Sequence, residues 1–400
     1  MSRILIYVFP ALMDMVVSSA VFICSVRAAQ AKLSDSKVAG LIAVWSLAYM
    51  IACPLVGRLV TERNAARILI WASIATAGMC LLFLVFTSIG MMYVLVGFTA
   101  FAVGFFFVPF QVFMKQVDRG GSKSIPYSTG LYTFSWSIGL STGPLVAGVL
   151  WKKGGWEACF GIDAVAALAA AVGICLLRHH AHAAKPAPVT TQQGGAREAI
   201  DYSRMPNLAW MAWVCGGIGA LTFALYRGIF PNTGELLKLT PSVQGTVFFI
   251  QCVVQALVGL FLVRSRFWMY KPLPLVAFGA CGIAALELFA MGTTAPTFYL
   301  AAALYGIYSG TFFFYLVFHA LVHPVQSARY VSINESVIGV TGVLGPVMGG
   351  LLADRSGQPA SYLLGAAFVL TAVGIQAVVH SRHAASVEPL AVNRAENVPA

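Results

Sequence analysis

Asp14 stands in the run FPALMDMVVSSAVFICSV as an acid among apolar side chains, and the next cation in line, Arg27, comes 13 residues later, roughly 20 Å along a helix. A carboxyl so placed either meets a partner from another segment or is neutral part of the time. Gaining and losing a proton is what proton coupling asks of a side chain, so Asp14 is the first candidate for that role. Ser18, Val21 and Ser25 fall on its helical face. The plainer reading is a neutral Asp hydrogen-bonded to a neighbouring backbone. The second candidate is Glu335, which follows Asn334 ahead of a glycine-rich run. It can ionise in a water-filled vestibule or pair with Arg329 or Lys115.

Tyr305, Tyr308, Phe312, Tyr315 and His319 are spaced 3-4-3-4 and share one helix face. Three phenols and an imidazole on such a face suit a cavity wall; an aromatic stripe can equally be packing. Gln244, Phe248, Gln251 and Gln255 follow a 4-3-4 spacing. Their amides need partners, either in a solute or in a neighbouring helix. Gln111, Tyr132 and Asn334 complete the candidate solute ligands. Asp163 and Glu287 are read as structural acids, and Arg227 as a side chain that snorkels to the outer interface.

Other chemistry is missing from the sequence. There is no Gly-x-Ser-x-Gly, no phosphate-binding Gly-rich loop with Lys and no His-Glu-x-x-His. No enzymatic activity, cofactor or ATP-driven step is expected. The eight cysteines sit in apolar blocks without a CxxC pair and read as buried thiols. His179, His180 and His182 lie in HHAH with no acid or Cys at ligand spacing, so no metal site is expected.

The elements that must position these side chains follow from composition. Hydrophobic residues make up 59% of the 400 and charged residues 10%, where a soluble domain carries about a quarter charged. Such a chain faces lipid. Long apolar blocks such as ILIWASIATAGMCLLFLVF argue against a β-barrel, which is built from short alternating segments. On a ruler of roughly 20 residues per crossing, twelve spans lie near 4–27, 38–60, 66–88, 91–114, 127–151, 156–177, 207–229, 242–263, 272–292, 297–321, 331–352 and 360–379. The expected fold is an all-α integral membrane protein: one six-helix bundle over 1–178, a cytoplasmic linker over 179–206, a second six-helix bundle over 207–380 and a disordered tail over 381–400.

The net charge of +11 comes from basic residues scattered between apolar blocks, not from a stripe, so no nucleic-acid partner is expected. With both termini inside, seventeen of the 25 Lys and Arg fall on the cytoplasmic side, as the positive-inside rule asks. The expected location is the cytoplasmic membrane, with N- and C-termini in the cytoplasm.

The phrase GLSTGPLVAGVL, from Gly139, returns as GVLGPVMGGLL, from Gly342, and Gly143-Pro144 aligns with Gly345-Pro346 at an offset of 202. GFFFVPFQ, from Gly104, and TFFFYLVFH, from Thr311, repeat in the same order. Two phrases repeated in order predict a six-plus-six duplication with a pseudo-twofold axis along the membrane normal. Gly139, Gly143, Gly342 and Gly345 bare a helix face for close packing, and Pro144 and Pro346 permit a bend. Each half is thus expected to own one pliable, closely packed seam helix.

On these residues the sequence resembles the major facilitator superfamily over nearly its whole length. GLSTGPLVAG resembles the family's fifth-helix motif, and GRLVTERNAARIL sits where the family carries Gly-x-x-x-Asp-Arg-x-Gly-Arg. Gly57 and Arg67 match that motif, whereas Thr61, Glu62 and Asn64 depart from it; Glu62 and Arg63 offer a substitute charge pair. The fourth span lacks the buried Arg typical of the family's proton-linked exporters. The resemblance implies a secondary transporter moving a small organic solute by alternating access, coupled to a proton (or Na+) through Asp14 and Glu335, monomeric in the lipid bilayer. The phenols and amides favour a sugar-like or other neutral polar solute. The alternatives are a drug or metabolite efflux antiporter and a non-transporting scaffold or assembly factor on the same fold.

Overall fold

The computed structural model describes residues 5–118, 125–183, 206–265, 267–321 and 327–392. The first four helices are α1 (Val8–Gln30), α2 (Asp35–Leu59), α3 (Ala65–Val85) and α4 (Ile89–Asp118). The run Ile125–Ala183 follows, and Gly154 and Gly155 break its helical geometry, Gly155 at φ 73°. Its membrane-length part, Leu131–Arg178, has 48 residues, about 72 Å of helix, far more than one bilayer crossing takes. It is therefore two crossings, α5 (125–153) and α6 (156–183). The second half holds α7 (Ala209–Leu236), α8 (Pro241–Arg264), α9 (Pro272–Met291), α10 (Ala295–Leu321), α11 (Ser327–Ser356) and α12 (Gln358–Val392). Twelve crossings result among the described residues, and none of those residues is in a strand. α12 runs on to Val392, so the tail expected to be disordered from residue 381 is helical up to that point. Most of the expected linker, residues 184–205, lies outside the described residues.

Helices form here because a bilayer leaves the backbone no other partner than itself. Their outward faces are as apolar as their inward ones: Trp71, Val85, Leu176, Leu273 and Leu370 are all exposed, as helices facing lipid require. α8 starts on Thr240, whose hydroxyl accepts from the Val243 amide (3.4 Å) ahead of Pro241 at the first turn.

The duplication is legible in the packing. A side chain at Gly139 or Gly143 of α5 would meet α1, at the Ala11 carbonyl and at the Met15 carbonyl and Ser18 hydroxyl. One at Gly345 or Gly349 of α11 would meet α7, at the Leu221 carbonyl and the Leu225 side chain. Higher up, Gly148 of α5 lies against Pro241 and Ser242 of α8, while Gly342 and Gly350 of α11 lie against Ser46 and Ser36 of α2. Gly245 of α8 closes on the Pro144 carbonyl, and Gly228 of α7 approaches Ala39 and Pro346. Each glycine-rich helix thus packs first on the opening helix of its own half and then on the second helix of the other. That exchange is what a pseudo-twofold pair of six-helix bundles produces.

Candidate solute cavity

The halves are tied together at one end. Asn232, near the end of α7, donates to the Leu33 carbonyl (3.2 Å) and to Asp35 Oδ1 (2.9 Å). Gln358, opening α12, donates to the same oxygen (3.0 Å). The Ser36 amide, in the first turn of α2, donates to Asp354 Oδ1 (3.3 Å), where a helix N-terminus favours a carboxylate. Among the described residues these four bonds are all the hydrogen bonds between the halves. Below them Phe22 of α1 meets Phe248 of α8 edge-on at 6.0 Å. Towards the other end Gln111 of α4 and Glu335 of α11 are exposed. Among the described residues the hydrogen bonds between the halves gather at the α1–α2 and α7–α8 turns.

Two charged side chains sit within the spans. Asp14 is half-buried on α1 and lies against bare Gly139 of α5. Arg227, also half-buried, holds its guanidinium 5.2 Å from the ring centroids of both Phe223 and Phe248, within cation–π range. Tyr132 of α5 stacks on Phe110 of α4 at 5.7 Å.

The sequence model of the Major Facilitator Superfamily matches residues 4–324. The chain belongs to the Major Facilitator Superfamily. Among solved structures it is similar to the nucleoside transporter NupG, at 13% identity over 94% of this chain and 98% of that one, with a TM-score of 0.63. It is also similar to a bacterial homologue of the human lysosomal transporter Spinster in an inward-facing, occupied conformation, at 15% identity over 95% of this chain and 96% of that one, with a TM-score of 0.65. At such identities the likeness is one of fold. No curated protein matches the sequence.

This superfamily member does not keep the aromatic stripe of α10 for its cavity, which corrects the expectation for Tyr305, Tyr308, Tyr315 and His319. All four are buried inside the second half. Tyr305 shares a hydrogen bond with Thr222 (2.9 Å), and Tyr315 donates to the Trp268 carbonyl (3.0 Å). Tyr308 lies over Gly282 of α9, and His319 sits among the rings of Tyr270, Tyr315 and Phe318. Gln251 and Gln255 are corrected likewise. Gln251 donates to Gln255 Oε1 and to Ser309 Oγ, both at 3.0 Å, joining α8 to α10. Asn334 donates to the Leu316 carbonyl (2.9 Å) and accepts from Trp213 Nε1 (2.8 Å). The physical reason lies in the bilayer. A helix bundle in lipid must satisfy its buried polar groups internally, and Tyr305, Tyr315, Gln251, Gln255 and Asn334 have such partners, whereas among the described residues the Tyr308 hydroxyl and His319 Nε2 are buried among rings without a hydrogen bond.

Of the residues singled out from the sequence, Asp14 and Tyr132 are half-buried in the first half, and Gln111 and Glu335 are exposed. Arg227 is the principal omission: it turns into the seam between the halves and does not snorkel to the outer interface. A signal for it existed. Gly143 packs on Met15 and Gly345 on Leu221, so the repeat aligns Val21, on the face of Asp14, with Arg227. In the α2–α3 loop Asn64, standing where the family motif has Gly, closes the turn: its Oδ1 accepts from Thr61 N (2.6 Å) and its amide donates to the Leu59 carbonyl (2.8 Å).

Proposed function

We propose that this protein is a secondary transporter that carries a small organic solute across the cytoplasmic membrane by alternating access, coupled to protons through Asp14 and, on the opposite wall, Glu335. The observation that carries the reading is the one-sided seal: four hydrogen bonds join the halves at one end, while Gln111 and Glu335 remain exposed towards the other. Rocking the halves about the bare glycine faces of α5 and α11 would break those bonds and close the opposite mouth. The solute enters between acids from both halves, so proton binding and solute binding act on the same two-state element. Of the phenols and amides that favoured a neutral, sugar-like solute, Tyr305, Tyr308, Tyr315, Gln251 and Gln255 are buried in the second half, while Gln111 and Tyr132 of the first half are not. With both termini in the cytoplasm, the accessible mouth faces inward, and the unit that works is one chain.

The test is counterflow in proteoliposomes loaded with candidate solutes from several charge classes, with internal pH followed by a trapped dye. Solute-dependent proton movement supports the reading; absence of any exchange across all classes by well-inserted protein sinks it. Reporter fusions after Arg197 and Arg394 check orientation: both are expected to report cytoplasm, and a periplasmic signal from either overturns the assigned topology.

A further inference from the structure

Between α7 and α11 lies a groove of about 470 Å³, a size that holds a small organic body. Trp213, Val214, Ile218 and Leu221 of α7 line it, with Val337 and Val340 of α11. Gly217 also lies in its wall, and a side chain there would meet Val337. The two helices close on each other where Gly345 meets Leu221 and Gly349 meets Leu225. They are joined again near their starts, where Trp213 Nε1 donates to Asn334 Oδ1 (2.8 Å). The groove therefore ends at Trp213 and at Leu221, eight residues apart in the sequence, about 12 Å along α7. Between those ends its rim residues Val214 and Val340 are 45% and 47% exposed.

The open side faces lipid. On α11, Gly339 and Gly342 lie against Met50 and Ser46 of α2, and Gly345 lies against α7. Val340 comes two residues before Gly342, about 200° round the helix, so it points away from the first half. On α7, Phe223 stands edge-on to Phe313 of α10 at 5.6 Å, and the Arg227 guanidinium lies over its ring. Val214 comes nine residues before Phe223, about 180° round the helix. The groove thus turns its back on both the other half and the space between the halves.

Its position and chemistry define what would fill it. Trp213 and Thr341, which line it, already donate inside the protein, Thr341 to the Val337 carbonyl of its own helix (2.7 Å). Beside Trp213, Asn207 donates to the Tyr330 hydroxyl (3.0 Å), and the Tyr330 ring stands edge-on to Trp213 at 5.1 Å. Trp and Tyr gather at headgroup level, so this cluster marks the membrane interface, and the groove runs from there into the hydrocarbon. Its length of about 12 Å is close to the roughly 15 Å that one leaflet's hydrocarbon spans. A crossing helix would need a face that continues through the bilayer, and α7 and α11 close at Leu221. One acyl chain needs a single leaflet. We infer that the groove is a lipid site, seating one acyl chain of a phospholipid whose head lies beside Trp213 and Tyr330, in the inner leaflet under the topology proposed above. The chain fills the space behind α11 and supports this glycine-faced helix from its lipid side.

The experiment photolabels the purified full-length protein in phosphatidylglycerol nanodiscs that contain some of the same lipid with a diazirine in the middle of one acyl chain. Leu370 of α12 and Val172 of α6 are 61% and 59% exposed, more than Val214 and Val340. Chance contact with bulk lipid labels in order of exposure and favours Leu370 and Val172. A seated chain reverses that order, and the adducts should gather on α7 and α11 around Val214 and Val340. Val214→Trp fills the groove from its open side and should abolish those adducts, whereas Leu370→Trp should leave them. Added phosphatidylglycerol should raise the unfolding temperature of the delipidated wild type and of Leu370→Trp, but not of Val214→Trp. Labelling in order of exposure overturns the proposal, as do groove adducts that survive in Val214→Trp. An unlabelled groove in a cross-linked dimer overturns it in favour of a second protein chain. The order of labelling in the wild type decides the matter even where Val214→Trp fails to fold. Transport is not part of the readout, so the lipid site and the transporter reading fail separately.

Discussion

Asn232 of α7 donates its side-chain amide to Asp35 Oδ1 of α2 across the seam, 2.9 Å away, and Gln358 of α12 reaches the same oxygen at 3.0 Å. One carboxylate oxygen thereby holds two helices of the opposite half. Asp354 returns the contact by accepting from the Ser36 amide. These bonds exist only while this end is closed, so they weigh on the closed-to-open balance and not on the stability of either bundle.

Asp35→Ala removes two of them. Each is charge-assisted but partly exposed, so the loss should be about 1–2 kcal/mol, roughly a tenfold shift towards opening. Spin labels at Gln30 and Leu236, both exposed at this end, would read it by pulsed electron resonance as a growing long-distance population. An unchanged distance distribution would mean that packing, not the carboxylate, keeps this end shut.

Gly143 and Gly345 face backbone atoms, the Met15 and Leu221 carbonyls, which cannot move aside as a side-chain tip could. Gly143→Ala and Gly345→Ala are each expected to cost about 1–3 kcal/mol through overpacking and to slow counterflow, whereas Gly78→Ala, with nothing within 4 Å of the added carbon, should be neutral. Thermal unfolding in detergent together with counterflow rates checks this. A neutral result at both seam positions would separate close packing from motion.

The same glycines explain how far the sequence could be read. Span count, the duplication and the bare faces were legible because each rests on a one-dimensional regularity: apolar length, repeated phrase, glycine spacing. The direction in which a face points is not such a regularity. The 3-4-3-4 spacing of Tyr305, Tyr308, Tyr315 and His319 established that they share a face, and nothing in α10 alone told whether α9 or the solute lay beyond it. Asp14 was legible because a lone acid in an apolar helix needs an explanation wherever its helix points. Arg227, near a helix end, had a bland explanation, and only the contact between Gly345 and Leu221 supplies the alignment that removes it.

Tyr305→Phe and Tyr315→Phe test the burial of that stripe. Each deletes one internal hydrogen bond, to Thr222 and to the Trp268 carbonyl, and is expected to cost about 1 kcal/mol or slightly more where an acceptor is left unpaired. The apparent KM for solute should not change. A large rise in KM with unaltered unfolding temperature would return these phenols to the cavity.

Asp14→Asn decides the coupling. The substitution keeps the shape of the side chain beside Gly139 but cannot titrate. Solute binding should persist with no pH dependence, and exchange down a gradient should continue. Accumulation driven by an imposed pH gradient should vanish, because a carrier that never releases its proton equivalent moves solute without moving charge from the proton gradient. Proteoliposomes with acid outside, compared with and without the gradient, give the measurement. Retained pH-driven accumulation in Asp14→Asn would transfer the proton to Glu335 of α11, and Glu335→Gln would then be the variant that abolishes it.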